Sequence, residues 1–191
     1  MSLTLTTKGL RQLKHDRRSV LAVTFLTLFA LLLGAVLKSS AENRSQRIER
    51  KGVIASVPAS WVVEDGAGDL IFVSWDPFVP DIRYTVFLIS NQGNDPLTDV
   101  SSERILALGK ALEGFKLLEE TPIIRRGQEG YKVTYAFIDT NQPGMPLVLQ
   151  GVDYYFPEDG NAIIISLQAR EQDYDEALIR FEAFLDSVSY K

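Results

Sequence analysis

The sequence predicts an α+β fold: an antiparallel β-sheet with helices packed on it, preceded by one transmembrane α-helix. Three observations carry this. Residues 19–37 are apolar and uncharged, residues 52–170 hold eight short strand-like runs broken by turn residues, and residues 98–112 and 173–188 switch to a helical period.

The apolar run reads SVLAVTFLTLFALLLGAVL. At about 1.5 Å per residue it gives roughly 28 Å of helix, close to the hydrocarbon thickness of a bilayer. Val20, Phe25, Leu28, Phe29, Leu33 and Gly34 are its expected membrane-facing and packing residues. Thr24, Thr27 and Gly34 have two readings, small-residue helix packing or a passive place in the helix, since a Thr hydroxyl bonds back to its own helix. Lys8, Arg11, Lys14, Arg17 and Arg18 precede the run, and Lys38, Arg44, Arg47, Arg50 and Lys51 follow it, so the Lys/Arg count ties across the membrane. The short basic tail, residues 1–18, is expected in the cytoplasm, with the C-terminal domain periplasmic, extracellular or lumenal. A cleavable signal peptide is the competing reading, with Ser39 and Ala41 at a small-x-small site. The run exceeds the usual signal core of roughly 7–15 residues, which favours an uncleaved anchor.

Residues 38–51 form a polar basic linker, and the domain is expected from 52 to 191. GVIASVP and WVVEDG are short β-branched runs. DLIFVSW (69–75) and RYTVFLIS (83–90) are nearly continuous apolar strands, separated by the Pro-punctuated DPFVPD. Val100, Ile105, Leu108 and Leu112 then share one helical face, with Thr98 or Asp99 as cap and Gly114 as stop. FKLLEETPIIR and YKVTYAFID follow across RGQEG; LVLQGVDYYF and NAIIISLQAR follow across PEDG, a hairpin signal. The last helix opens on Asp173 and Glu176, a capping-box pattern, and carries Tyr174, Ala177, Leu178, Phe181, Leu185 and Val188 as one apolar stripe. The order is β-β-β-β-α-β-β-β-β-α.

Charge and composition exclude several functions. The net charge of −5 divides into ten Lys/Arg against three Asp/Glu in residues 1–51, and ten against 22 in residues 52–191. An acidic domain is repelled by nucleic acid, and a basic segment flanking an apolar run suits anionic lipid headgroups. There is no cysteine, and the only histidine is His15 in the tail. Disulfides, thiolate chemistry, histidine-based triads and histidine- or cysteine-ligated metals are therefore ruled out for the domain. The clusters Asp173–Asp175–Glu176 and Asp153–Glu158–Asp159 lack EF-hand spacing, and Gly66-Ala67-Gly68 lacks the Lys and helix of a phosphate loop. No cofactor and no enzymatic activity are expected.

The strand order, SVPASW (56–61) and the closing FEAFLDSVSY (181–190) resemble the PsbP-like α-β-α sandwich over about residues 52–191. The type member of that family is an extrinsic subunit of the oxygen-evolving photosystem. The resemblance implies a non-catalytic module that docks on larger membrane assemblies or helps build them. That type member's ion- and partner-binding residues near its N-terminus include histidine; the domain here has none, so those sites do not carry over.

Within the domain, Trp61 reads as a core or edge-covering residue. Trp75, Asp76, Phe78 and Val79 lie on a stiff loop that loses little entropy on binding, a candidate partner site; the competing reading folds the loop over its own core. Met145, near a Pro/Gly-rich hairpin tip, is a second contact candidate. The expected function is a membrane-anchored accessory or assembly subunit of a larger, photosynthetic or respiratory membrane complex, with membrane lipids and the subunits of that complex as partners. The alternative is an anchored module binding a lipid or pigment in a cleft lined by Tyr131, Tyr135, Tyr154 and Tyr155.

Overall fold

The computed structural model describes residues 20–34 (residue 22 aside), 44–91, 96–140 and 145–190. The chain divides into two units, residues 1–44 and 45–191.

In the first unit, residues 20–34 form helix α1. Val20, Phe25, Leu28, Phe29, Leu33 and Gly34 are all exposed. Phe25 and Phe29, one turn apart, stack with centroids 6.5 Å apart. Thr24 and Thr27 donate to Val20 O and Val23 O, each at 2.9 Å, the back-bonding that lets a hydroxyl sit in an apolar helix. No helix among the described residues is long and apolar enough to cross a membrane. The remainder of the expected span, residues 19, 22 and 35–37, lies outside the described residues.

The second unit is built on a seven-stranded antiparallel sheet in the order β3-β4-β5-β9-β8-β7-β6. Its strands are β3 (Val62–Asp65), β4 (Leu70–Trp75), β5 (Arg83–Ser90), β6 (Glu113–Arg125), β7 (Gln128–Asp139), β8 (Leu147–Glu158) and β9 (Asn161–Arg170). A smaller sheet, β1-β2-β10, joins β1 (Ser45–Arg50), β2 (Val53–Pro58) and β10 (Ser189–Tyr190). Helix α2 (Leu97–Ala111) packs on β6, β7 and β8; helix α3 (Tyr174–Ser187) packs on β9 and β2.

Three expectations change here. Residues 45–50 were expected within the polar linker, yet they pair in register with β2, Ser45 opposite Pro58 through Arg50 opposite Val53. One buried residue, Ile48, seats this otherwise polar strand. The capping box does not form either: Asp173 has helical backbone (φ −104°, ψ −5°) and no side-chain cap bond, because a 3₁₀ turn over Glu171–Asp173 already leads into α3. Glu176 instead accepts from Arg180 at 2.6 Å. Likewise α2 starts one residue before Thr98, after Pro96, and it ends before Gly114 as Leu112 turns extended.

Lys51-Gly52, Arg126-Gly127 and Asp159-Gly160 each supply two successive residues with positive φ to a two-residue hairpin, whose twist matches that of the flanking strands. The edges are guarded. β3 is four residues long, and β6 carries two irregularities in register plus Pro122. Pro122 falls between the bonded pairs Thr121–Lys132 and Ile123–Gly130, where its missing N–H faces away from the sheet.

Side-chain alternation gives the large sheet two different faces. On the α3 face, Phe72, Tyr84, Val86, Val152, Tyr154, Ile165 and Leu167 meet Tyr174, Ala177, Phe181, Phe184 and Leu185 of the helix and Val53, Ala55 and Val57 of β2. Trp61 joins this core against Tyr84, with centroids 4.4 Å apart. On the α2 face a smaller core forms from Val133, Tyr135, Phe137, Leu149, Tyr155 and Ile164, closed by Val100, Ile105, Leu108 and Leu112.

Candidate interaction surface

The loop between β4 and β5 is held by its own backbone. Val79 N donates to Asp76 O at 3.2 Å and Ile82 N to Val79 O at 2.9 Å, while Asp76 Oδ1 accepts from Phe78 N at 2.9 Å. Asp81 is buried and paired with Arg170 at the end of β9. Ile82 is buried and Val79 packs on the α3-face core. One side of the loop therefore folds over the core, and the other presents Phe78, 86% exposed. Trp75 and Asp76 are half-buried.

Met145 is 85% exposed at the start of the β8 approach. Register places it at the same end of the sheet as Phe78, since Trp75 pairs with Arg83, Arg83 with Gln168, Gln168 with Gly151, and Leu147 with Asp139. Three strand spacings separate β5 from β7, about 14 Å. Residues 141–144 of the predicted hairpin tip lie outside the described residues.

Sequence reading missed a second feature, a buried polar cluster under α2. Asp153, fully buried in β8, accepts from Arg104 Nε of α2 at 2.6 Å. Tyr135 and Tyr155 donate to its two oxygens at 3.3 and 3.4 Å, long for O–H···O bonds, and Gln168 Nε2 donates to Tyr135 Oη at 3.4 Å. The Arg104 guanidinium lies 4.2 Å over the Phe87 ring. Burial opposes the charge on Arg104, but the Asp153 carboxylate outweighs it and holds the guanidinium's pKa above its usual value. Burial and then the same carboxylate push both phenols well above theirs. Ser166 Oγ, buried without a hydrogen-bond partner, stands across the strand from Asp153. Gly151 makes room for the cluster: a Cβ there would sit 2.4 Å from Tyr135 Cζ. Two signals pointed to it, a carboxylate inside the apolar run LVLQGVDYYF and an arginine on the apolar face of a helix.

The four tyrosines expected to line one cleft do not share one. Tyr154 points to the α3 face and Tyr135 and Tyr155 to the α2 face, all buried, because neighbouring strand residues alternate. Burial, and after it Glu182, pushes the Tyr154 phenol up to about 12. A cleft of about 70 Å³ opens elsewhere, between Arg125, Arg126, Phe156, Leu185 and Tyr190. It is far below the roughly 300 Å³ of the smallest usual ligand pockets, whereas an open hollow of about 370 Å³ lies beside the β8–β9 turn, between Asn91, Leu97, Pro157 and Asn161, away from the four tyrosines. Arg125 at its rim is committed to α3, bonding Glu182 Oε2 at 2.5 Å and Asp186 Oδ1 at 2.8 Å. The carboxylates weighed as metal ligands part company, with Asp153 buried under α2 and Glu158 and Asp159 at the β8–β9 turn.

Among solved structures, the cyanobacterial PsbP protein (CyanoP) of Synechocystis superposes with a TM-score of 0.62 at 18% identity, covering 77% of this chain and 92% of that one. The fold is PsbP-like. The Ran-binding protein Mog1p of Saccharomyces cerevisiae shares it, with a TM-score of 0.55 at 8% identity over 77% of this chain and 95% of that one. No family model and no curated protein matches the sequence. At these identities the likeness establishes architecture alone: the PsbP-like domain here keeps its sheet and two helix layers, and what it does rests on its own residues.

Proposed function

We propose that this chain is a non-catalytic, membrane-anchored accessory or assembly subunit of a larger membrane complex, with its N-terminus cytoplasmic and its PsbP-like domain on the opposite side. One observation carries the reading: Phe78 and Met145 stand almost fully exposed at the same end of the domain. Phe and Met are among the residue types enriched at protein interfaces, and held out on loops above a rigid sheet they offer contact area. The anchor rests on the uncharged run 19–37, helical where described, with basic residues on both flanks. The fold adds support, since a structural neighbour is named for binding another protein. Docking would take place on the subunits of the host complex, with lipid around α1.

The test is retention in the complex. Native gels of gently solubilised membranes should show the chain in a large assembly. Phe78→Ala with Met145→Ala should release it while the circular dichroism of the domain is unchanged. Migration as a free monomer in the unmutated state would refute the proposal. Because the chain has no cysteine, Lys8→Cys and Ile179→Cys can each be labelled alone with an impermeant maleimide. Opposite sidedness is expected, and equal labelling from one side would remove the anchor.

A further inference from the structure

The α2 face is covered over only part of its width. α2 lies chiefly on β6, β7 and β8 and reaches Phe87 and Ile89 at the far end of β5, while on β3, β4 and the start of β5 the residues of the same face stay at the surface among the described residues. Cross-strand register assigns them: Val62 opposite Trp75, Trp75 opposite Arg83, Val73 opposite Thr85, and Leu70 opposite Phe87. Val62 is 39% exposed, and Leu70, Val73, Trp75, Thr85 and Phe87 are half-buried. The result is a shallow apolar trough on an otherwise acidic domain.

Its borders are cationic. Arg83 is exposed within it. Arg104 of α2 forms one wall, lying over Phe87. Arg170 stands at its upper end, on the same face, since it pairs with Leu149. The carboxylates that Arg104 and Arg170 bind, Asp153 and Asp81, are buried, whereas the two guanidinium side chains keep 16% and 35% of their surface. Glu64, opposite Val73, is the one carboxylate that register sets on the trough itself, at its outer strand. Positive edges are therefore presented outward and their counter-charges inward.

The dimensions select the shape of the occupant. Three strands span about 10 Å between outer axes, and a helix with its side chains is about 10 Å across. One helix laid beside α2 would fill the trough and complete the second helical layer, as α2 does over the other strands. Resting on the accessory-subunit reading above, we infer that this trough seats an amphipathic helix of a partner subunit. Its apolar stripe packs on Val62, Val73 and Trp75, and its flanking carboxylates face Arg83, Arg104 and Arg170. The chain's own α1 does not fit this chemistry, since residues 20–34 carry no charge.

Photocrosslinking in native membranes tests this. p-Benzoylphenylalanine placed at Val62 should crosslink, and mass spectrometry should map the adduct to a predicted-helical segment of another polypeptide bearing an apolar stripe and Asp or Glu. The same probe at Ile179, exposed on α3, should not reach that segment. Arg83→Glu in the Val62 probe background should cut the yield roughly tenfold, the scale of a like-charge clash. Crosslinks to a second copy of this chain, to its own residues 1–44, to lipid or to a basic segment would overturn the inference, as would no crosslink or a yield indifferent to Arg83→Glu. Native gels separate the two failures: an intact complex without this crosslink removes only the trough, whereas loss of any complex removes the accessory role itself.

Discussion

The two faces of the large sheet solve the same packing problem differently. The α3 face is aromatic. Phe181 and Phe184 contact Tyr84 with centroids 5.0 and 4.7 Å apart, and Phe72 meets Phe184 edge-on at 6.3 Å. Its helix buries Tyr174, Ala177, Phe181, Phe184 and Leu185. Helix α2 buries only Ser101 completely; it sets partly buried Val100, Ile105, Leu108 and Leu112 on a smaller core and fixes its position by one ion pair, Arg104 to Asp153, the carboxylate on which two long phenolic bonds of the sheet also converge. Apolar area is non-directional and adds up with little regard to register. A buried ion pair stabilises little net, since desolvation offsets attraction, but it penalises every misplaced arrangement. The contrast teaches that α3 is held by how much it buries and α2 by where it sits. That suits a helix that must leave a trough of fixed width beside it.

The sharpest break of this contrast is Phe181→Ala. It should cost about 3–5 kcal/mol by creating a cavity at the centre of the aromatic cluster. Urea denaturation reads it, and a loss below about 1 kcal/mol would mean that the α3 face is not the main store of stability.

On the other face, Arg104→Ala should cost about 3 kcal/mol, because it strands the Asp153 carboxylate in the interior. Arg104→Met with Asp153→Leu should regain most of that loss. If the double variant stays as unstable as the single one, the pair does more than balance its own burial.

Alkaline pH sharpens the comparison because both faces bury tyrosines. Burial is the leading cause of the raised pKa of Tyr84, Tyr154 and Tyr174 on one face and of Tyr135 and Tyr155 on the other. The folded chain holds these phenolic protons more tightly than the unfolded chain, whose tyrosines ionise near pH 10. Their contribution is fully present below about pH 10 and falls as pH rises above it. In a Tyr131→Phe, Tyr190→Phe background, which removes the two partly exposed rings, tyrosinate absorbance should therefore appear together with unfolding, and Tyr135→Phe with Tyr155→Phe should flatten the decline without abolishing it. Early titration of a folded chain would show that water reaches these rings.

The smallest effect belongs to the outer surface of α3. Ile179 is 74% exposed, so Ile179→Ser should change stability by no more than about 0.5 kcal/mol. A larger loss, or release from a native assembly, would assign that surface a partner.

Most of the architecture is legible in the sequence. Period-2 runs and period-3.6 stripes depend on neighbours within a few residues, so eight strands and two helices could be placed, and Asp159-Gly160 could be recognised as a hairpin. Phe184 escaped the predicted stripe of α3 although it is buried. β1 escaped because its residues are polar and only its pairing with β2 makes it a strand. The capping box failed for a related reason: a local pattern competes with the chain's approach to the helix, and here a 3₁₀ turn prevailed. Of the candidate surface, Phe78 and Met145 were readable as loop residues, while the inward turn of Val79 was not.

By itself the sequence determined the strand and helix periods, the uncharged run, the charge asymmetry and the lack of cysteine and domain histidine, all properties of residues taken in order. Tertiary structure alone decided which strands are neighbours. It joined Arg104 to Asp153 across 49 positions, sent Tyr154 and Tyr155 to opposite cores, and set no helix of the domain's described residues on one face of β3 and β4. Those outcomes depend on cross-strand register, a pairing between distant segments that no local pattern encodes.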